Sequence, residues 1–275
     1  MLVVAENPSG RIVAFDSATY FEGHRTDAAD VVVIGSYCGT RVLAPIFTRG
    51  VKAVIATDAG IGKDESGISG LKHAEIIGVP VAAILTMSAE TSNGRSALLG
   101  EISRANAQAH MLGVVPGMAA YEAAALLAKA PPGKPIPTAR GIEGAAIVVE
   151  ETTRGRIWAV PGTTAIREKI QKDVFCSGSN SSRVMSDAAL HLAARGAIAN
   201  DAGIAKGKTA VEGVEILGRH GIPSAAVSSM SARLAEGLST WNDGIISIVN
   251  EVAANYGVKV GMTAKEAARL MLQNG

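Results

Sequence analysis

One short motif that could do chemistry occurs twice in the chain. Asp-Ala-Gly-Ile-Gly-Lys at residues 58–63 returns as Asp-Ala-Gly-Ile-Ala-Lys at residues 201–206. Glycine lets the backbone approach an anion closely, lysine adds a positive charge, and aspartate can accept hydrogen bonds or hold a divalent ion. Alternatively, aspartate caps a turn and glycine supplies a positive φ, although a turn does not require the lysine. The predicted site residues are Asp58, Gly60, Lys63, Asp201, Gly203 and Lys206.

Hydroxyl groups, glycines and an arginine follow another predicted strand in each half of the chain. Residues 35–41 read Gly-Ser-Tyr-Cys-Gly-Thr-Arg and residues 177–183 read Ser-Gly-Ser-Asn-Ser-Ser-Arg, which aligns Arg41 with Arg183. Such a junction between strand and helix can cradle an anion, with the arginine holding a carboxylate or phosphate. Ordinary helix N-capping is the alternative. The predicted substrate-binding residues here are Ser36, Thr40, Arg41, Ser179, Ser181, Ser182 and Arg183.

A third repeated motif follows the last predicted strand of each half. Residues 87–90 read Met-Ser-Ala-Glu and residues 230–233 read Met-Ser-Ala-Arg. A serine beside a lysine suggests a nucleophile pair, so Ser88 and Ser231 are catalytic candidates. The alternative is that each serine caps a helix or binds a ligand without attacking it. Because Glu90 and Arg233 differ in charge, we predict one true site made from unlike halves, with Arg233 binding substrate.

The chain is a tandem duplication. The first motif recurs 143 positions later, and the same offset relates Gly78 to Gly221 and Pro80 to Pro223. A stretch with four prolines, at residues 131–137, separates the copies and is typical of a stiff connector. We predict a first copy at residues 1–130, a linker at 131–143 and a second copy at 144–275, each with its own core.

Each copy is predicted to contain the same elements in the same order. A β-hairpin comes first, then strand, helix, strand, helix and strand, and two helices close each copy, at about residues 95–112 and 119–129 and at about 238–256 and 263–273. Fully apolar runs such as residues 31–34 are typical of strands covered on both faces. The predicted fold class is therefore α/β, with a mostly parallel sheet and a hairpin in each copy.

Composition favours an ordinary globular protein of the cytoplasm. The chain has 275 residues, of which 48% are hydrophobic and 19% charged. Its formal net charge of +1 gives no electrostatic footprint for nucleic acid or an anionic membrane. The N-terminus turns polar too soon for a signal peptide, and no apolar run approaches the roughly 20 residues of a membrane span. Two cysteines and five histidines show no metal-binding spacing, so no metal is predicted and no cofactor is indicated.

Several stretches resemble swivelling domains of known enzymes. Residues 52–60 and 74–82 resemble the mobile phosphohistidine domain of phosphoenolpyruvate-utilising enzymes, and Gly-Ile-Pro-Ser-Ala-Ala-Val at 221–227 looks the same. Residues 178–182 are similar to the Gly-Ser-Ser turn of the swivelling domain of aconitase-like dehydratases. The resemblance implies a swivelling β/β/α fold for each copy, without its closing helices. No histidine follows Gly60 or Gly203 where the phosphohistidine belongs, so phosphoryl carriage is not expected.

These patterns predict an enzyme whose site lies between the two copies. Lys63 and Lys206 would act as general base or charge stabiliser, and Asp58 or Asp201 would handle protons. A lyase, an isomerase or a ring-opening hydrolase acting on a small anionic or amide-bearing metabolite fits this set. A non-catalytic small-molecule-binding or regulatory protein is the alternative, and a lid for a partner protein is a third option. The small anionic metabolite is the predicted partner, and a homo-oligomer remains open.

Overall fold

The chain folds into two compact α/β units. The structure, a computed structural model, describes residues 1–8, 10–18, 21, 26–137 and 144–275. The first unit comprises Met1–Ile61, Gly67–Ile142 and Ala205–Gly207, and the second comprises Gly62–Ser66, Glu143–Ile204 and Lys208–Gly275. "Copy" below means a repeat of the sequence, and "unit" means one of these compact bodies. Of the predicted linker, residues 138–143 lie outside the described residues.

Each unit contains one six-stranded sheet in which neighbouring strands follow chain order. The first sheet contains β1 (Leu2–Asn7), β2 (Gly10–Phe15), β3 (Val31–Tyr37), β4 (Ala53–Thr57), β5 (Val81–Ile84) and β6 (Ile102–Ala105). The second contains β7 (Ile147–Thr152), β8 (Gly155–Val160), β9 (Val174–Asn180), β10 (Gly196–Asn200), β11 (Ser224–Val227) and β12 (Ile246–Val249). In each sheet the four central strands are parallel and the two edge strands are antiparallel. The two sheets match each other, as a duplication predicts.

Helices cover both faces of each sheet. The first unit has α1 (Thr40–Phe47), α2 (Ser69–Ile76), α3 (Gly94–Leu98), α4 (Ala107–Met111) and α5 (Ala120–Leu127). The second has α6 (Arg183–Leu192), α7 (Glu212–Arg219), α8 (Gly237–Asp243), α9 (Glu251–Asn255) and α10 (Ala264–Asn274). Because β4 and β10 are buried along their whole length, their apolar side chains supply both faces of the core. Each sheet thus lies between two hydrophobic clusters.

The predicted last helix of each copy is present as α5 and α10, but the prediction of a single helix before it was wrong. The segment predicted as one helix at residues 95–112 contains α3, the edge strand β6 and α4, and its counterpart contains α8, β12 and α9. Gly100 and Gly244 interrupt the helical pattern, and the β-branched run at 245–249 favours a strand. Asn106 and Asn250 then cap new helices through their side-chain oxygens.

Strand register corrects one alignment between the copies. Tyr37 pairs with Thr57 and Asn180 pairs with Asn200, which keeps the offset at 143 through this region. The amide of Cys38 donates to Thr57 O, and that of Ser181 donates to Asn200 O in the same way. Cys38 therefore corresponds to Ser181, and Arg41 corresponds to Val184 instead of Arg183.

None of the helices in the described parts of the chain combines the length and the apolar character needed to span a membrane.

Candidate functional site

The predicted site residues cluster after the carboxyl ends of the parallel strands in each unit. In the first unit β3, β4 and β5 end at Tyr37, Thr57 and Ile84, and in the second β9, β10 and β11 end at Asn180, Asn200 and Val227. Since these strands are parallel, the loops that follow them leave from one edge of each sheet. Open α/β sheets bind ligands at this edge.

The Asp-Ala-Gly-Ile motif forms a left-handed turn in both copies. Four successive residues have positive φ in each: Ala59, Gly60, Ile61 and Gly62 (47°, 70°, 67° and 71°), and Ala202, Gly203, Ile204 and Ala205 (45°, 70°, 70° and 62°). Residues with a side chain visit this region singly and rarely, and a β-branched isoleucine there is a strained outlier. The same strain is built twice into one chain.

A buried aspartate holds each turn. Oδ1 of Asp58 accepts the amides of Gly60 and Thr86, each at 2.9 Å. Oδ1 of Asp201 accepts the amides of Gly203 at 3.1 Å and Ser229 at 2.9 Å, and its Oδ2 accepts the Ser247 hydroxyl at 2.9 Å. Each carboxylate thereby ties its own turn to the end of the neighbouring strand. This bonding explains why aspartate stands in both copies.

The two lysines of the repeated motif have different surroundings. Nζ of Lys63 lies 3.0 Å from Oδ2 of Asp243, within the second unit. That hydrogen bond, with a second one from Ser239, lowers the pKa of Asp243. Lys206 is exposed, and its backbone amide donates to Ala89 O within the first unit. The ammonium of Lys63 is therefore already bonded to a carboxylate.

Arg233 is paired with two carboxylates in the second unit. Its Nε donates to Oδ2 of Asp64 at 2.7 Å, and its guanidinium lies 3.5 Å from the Glu236 carboxylate. The hydrogen bond that Arg233 donates to Asp64 is the main cause of the raised pKa of Arg233. Two carboxylates thus compete with any anionic substrate for this guanidinium.

The candidate nucleophiles Ser88 and Ser231 make the same two hydrogen bonds. Ser88 Oγ donates to Leu85 O at 2.7 Å and accepts the Glu101 amide at 2.9 Å. Ser231 Oγ donates to Ser228 O at 2.7 Å and accepts the Ile245 amide at 2.9 Å. In both units these bonds join the loop after the last central strand, β5 or β11, to the segment that leads into the antiparallel edge strand.

In the first unit two hydrogen bonds between backbone amides and serine hydroxyls connect the β3–α1 junction to neighbouring segments. Ser36 Oγ accepts the Ala18 amide at 3.0 Å. The Thr40 amide donates to Ser69 Oγ at 3.1 Å. Arg41 is half-buried in the first turn of α1, and Tyr37 at the end of β3 is 8% exposed.

In the second unit most hydrogen bonds of the corresponding β9–α6 junction join residues of the junction to each other. Ser179 and Ser177 share a hydrogen bond of 2.8 Å between their hydroxyls, and Ser182 Oγ donates to Asn180 Oδ1 at 2.8 Å. Arg183 lies 3.4 Å from the Glu212 carboxylate. The Ser181 hydroxyl is buried and has no hydrogen-bond partner among the described residues. Ser181 corresponds to Cys38 of the first copy, where the buried side chain is a thiol and therefore only weakly polar.

Sequence reasoning did not select Tyr37 as a site residue. Tyr37 lies between Ser36 and Cys38, in a motif whose hydroxyls and arginine were selected. Tyr37 could have been selected from the sequence because the second copy has Asn180 at the corresponding position. A large aromatic residue at a glycine-rich strand end is unusual in a chain with only 4% aromatic residues.

Two further features of the described residues bear on the site. No group of three or more His, Cys, Asp or Glu side chains in the described ranges is placed to hold a metal ion. An open groove of about 440 Å³ lies in the second unit, lined by Glu150, Thr152, Thr153, Arg154, Arg269, Leu272, Gln273 and Asn274. These residues belong to β7, to the turn after it and to α10, and none is a predicted site residue.

Fold and loops together define a duplicated α/β protein with a strained, glycine-containing turn at the carboxyl edge of each sheet. Comparison of the chain with protein-family models, with curated proteins and with solved structures finds no significant match.

Proposed function

We propose that this protein is an enzyme that binds a small anionic metabolite at the carboxyl edge of its parallel strands. The observation that carries this proposal is the left-handed turn formed in both copies. Backbone outliers of this kind cost on the order of 1–3 kcal/mol each and cluster at active sites and ligand clamps. A strained turn that served only as a connection would be replaced by an unstrained one at a gain in stability. A lyase, an isomerase or a ring-opening hydrolase is the proposed reaction class.

The two lysines receive different roles in this proposal. Because the Lys63 ammonium is bonded to Asp243, we assign it charge stabilisation. Lys206 is exposed at the matching position of the second copy, so we assign proton transfer to it. A lysine acts as a general base near neutral pH only when its pKa is lowered. Exclusion of water by the bound ligand or the approach of a cation would lower it.

A non-catalytic small-molecule-binding protein is the second candidate. It is favoured by the hydrogen bonds of Asp58, Asp201, Ser88 and Ser231, all of which bond to backbone groups within the fold. Side chains engaged in this way shape a binding loop without taking part in a reaction.

Turnover and binding, measured together, separate the two candidates. The full chain is incubated with dicarboxylates, cyclic amides and phosphorylated sugars, with product formation followed by mass spectrometry and binding by calorimetry. The enzyme proposal predicts that Lys206→Met binds the active compound normally and loses turnover, whereas the exposed Lys172→Met retains both. Saturable binding without turnover by the unaltered protein would favour the binding protein. Neither binding nor turnover across the three classes would reject both.

A further inference from the structure

A phenol and a guanidinium that have no bonding partner among the described residues both belong to the β3–α1 junction of the first unit. Tyr37 ends β3 in register with Thr57, and Arg41 is the second residue of the eight-residue helix α1. Tyr37 is only 8% exposed, Arg41 lies four residues further on in the first turn of α1, and the charge of Arg41 acts on the ionisation of Tyr37. Neither side chain makes a hydrogen bond or ion pair with the residues that the structure describes. The Tyr37 ring is buried, but its hydroxyl is not among the buried polar atoms that lack a partner, and Arg41 is half-buried, so both polar groups are open to a ligand.

Several other arginines of the chain are paired with carboxylates. Arg11 pairs with Asp30 and Arg156 with Asp173, and in both cases the two atoms lie within 3 Å. At the matching junction of the second unit, Arg183 pairs with Glu212. The guanidinium donors of Arg41 are therefore available to a group from outside the described residues.

The protonation states of Tyr37, Cys38 and Asp58 indicate which charge the bound group should carry. Burial raises the pKa of Tyr37 and the nearby Arg41 opposes this only in part, so the phenol stays protonated and donates. Burial also raises the pKa of Cys38, and the negative charge of Asp58 raises it further. Cys38 is thus a neutral thiol, and the nearby Asp58 carboxylate disfavours a second negative charge on the group that Arg41 binds. A single carboxylate fits this setting better than a phosphate dianion.

We propose that the first unit binds one carboxylate group through the Arg41 guanidinium and the Tyr37 hydroxyl. A guanidinium matches a carboxylate with two parallel hydrogen bonds, and the phenol supplies a third donor. The N-terminus of α1, whose N-cap residue Gly39 makes no side-chain cap, adds a favourable dipole. This inference rests on the proposed function only in taking the ligand to be a small anion.

The second unit lacks an equivalent site. Asn180 and Val184 stand where the first copy has Tyr37 and Arg41, and the Asn180 oxygen accepts the Ser182 hydroxyl. The two units therefore differ in what they bind, although their turns are alike. Carboxylate recognition belongs to the first unit.

Protection of arginines from phenylglyoxal tests the assignment. The full chain is modified in the presence of succinate or the neutral succinamide, and the modification of each arginine is quantified by peptide mass spectrometry. Succinate is expected to slow modification of Arg41 and to leave Arg183 unaffected, and succinamide is expected to protect neither. Tyr37→Phe, which removes one hydroxyl, should raise the succinate concentration for half-protection of Arg41 about tenfold. Arg183→Gln is the matched control and should leave the protection of Arg41 unchanged.

Three outcomes would overturn the proposal: no protection of Arg41, equal protection of Arg41 and Arg183, or equal protection by succinamide. A Tyr37→Phe protein with the same circular dichroism and the same half-protection as the unaltered chain would remove Tyr37 from the site. Calorimetric binding of succinate to Arg41→Gln is an independent check and should be lost. Turnover decides the proposed function separately, because protection of Arg41 without any turnover would leave the carboxylate site standing and reject the enzyme.

Discussion

At the scale of single residues, the repeated aspartates are explained by backbone geometry. Asp58 and Asp201 each accept two amides, one from inside the left-handed turn and one from the next strand end. An acidic side chain with four acceptor sites suits this position because the turn leaves several amides without helical or sheet partners. The aspartate is therefore needed for the loop to form, whatever chemistry the loop serves.

Removing this carboxylate should destabilise the second unit. Asp201→Ala leaves the amides of Gly203 and Ser229 and the Ser247 hydroxyl without their acceptor, so we expect a loss of about 2–4 kcal/mol in the free energy of unfolding. Urea denaturation followed by tryptophan fluorescence measures it. Asp187→Ala, on the exposed face of α6, is the control and should change stability by less than about 0.5 kcal/mol. A loss as small as that of the control would show that the turn does not depend on Asp201.

The ion pair of Lys63 predicts a pH dependence. The pKa of Asp243 lies below its ordinary value of 3.8, so the pair stabilises the protein above about pH 4 and the contribution is lost as the pH falls further. Since Asp243 is 42% exposed, Lys63→Met should cost less than about 1 kcal/mol at neutral pH. An NMR titration should show a higher pKa of Asp243 in Lys63→Met than in the unaltered chain. An unchanged pKa would mean that the pair does not persist in solution.

At the scale of elements, the two copies differ in how their last helices begin. Thr263 forms a capping box with Glu266 at the start of α10. At the start of α5 the corresponding residues are Ala119 and Glu122, and Ala119 offers no side-chain acceptor. The first copy therefore has the glutamate of a capping box but not the threonine, and no side-chain cap forms at Ala119.

Completing this capping box should stabilise the first unit. Ala119 already has extended φ and ψ, so Ala119→Thr can accept the Glu122 amide without strain, and we expect a gain of about 0.5–1 kcal/mol. Thermal unfolding followed by circular dichroism checks the gain. Ala119→Val has nearly the same size without the hydroxyl and should give no gain. Equal melting temperatures for the two variants would contradict a capping effect.

The hairpins and the elements built from long apolar runs could be predicted from the sequence, whereas the edge strands β6 and β12 could not. The central strands β3 and β4 contain the apolar runs 31–34 and 53–56, which are typical of strands covered on both faces. The strand β6 reads Ile-Ser-Arg-Ala, which fits a helix or a strand equally well. Its conformation is decided by pairing with β5 across the sheet, a contact that no local pattern contains.

At the scale of the whole molecule, each unit has its own hydrophobic core, and the two tryptophans report on only one of them. Trp158 and Trp241 both belong to the second unit, where they contact the clusters on opposite faces of the sheet. Tryptophan fluorescence therefore follows the unfolding of the second unit.

A cavity in the core of the second unit should lower the stability that tryptophan fluorescence reports. Leu217 of α7 is fully buried, so Leu217→Ala should lower the free energy of unfolding by about 2–5 kcal/mol, measured by tryptophan fluorescence in urea. Leu238→Ala is the control because Leu238 is 44% exposed, and its effect should stay below about 1 kcal/mol. Equal losses for both variants would argue against the described packing of α7.

The sequence by itself determined the duplication, the α/β class, the central strands and the loops in which polar residues gather. These features follow from local periodicity and from repetition, which need no knowledge of distant contacts. Only the tertiary structure decided the bonding state of each candidate: Asp58 and Asp201 hold backbone amides, Lys63 and Arg233 pair with carboxylates, and Arg41 and Tyr37 have no such partners among the described residues. Those states depend on side chains far apart in sequence, as with Lys63 and Asp243. Burial and hydrogen bonding, set by the folded chain, separate residues that shape a loop from residues that face a ligand.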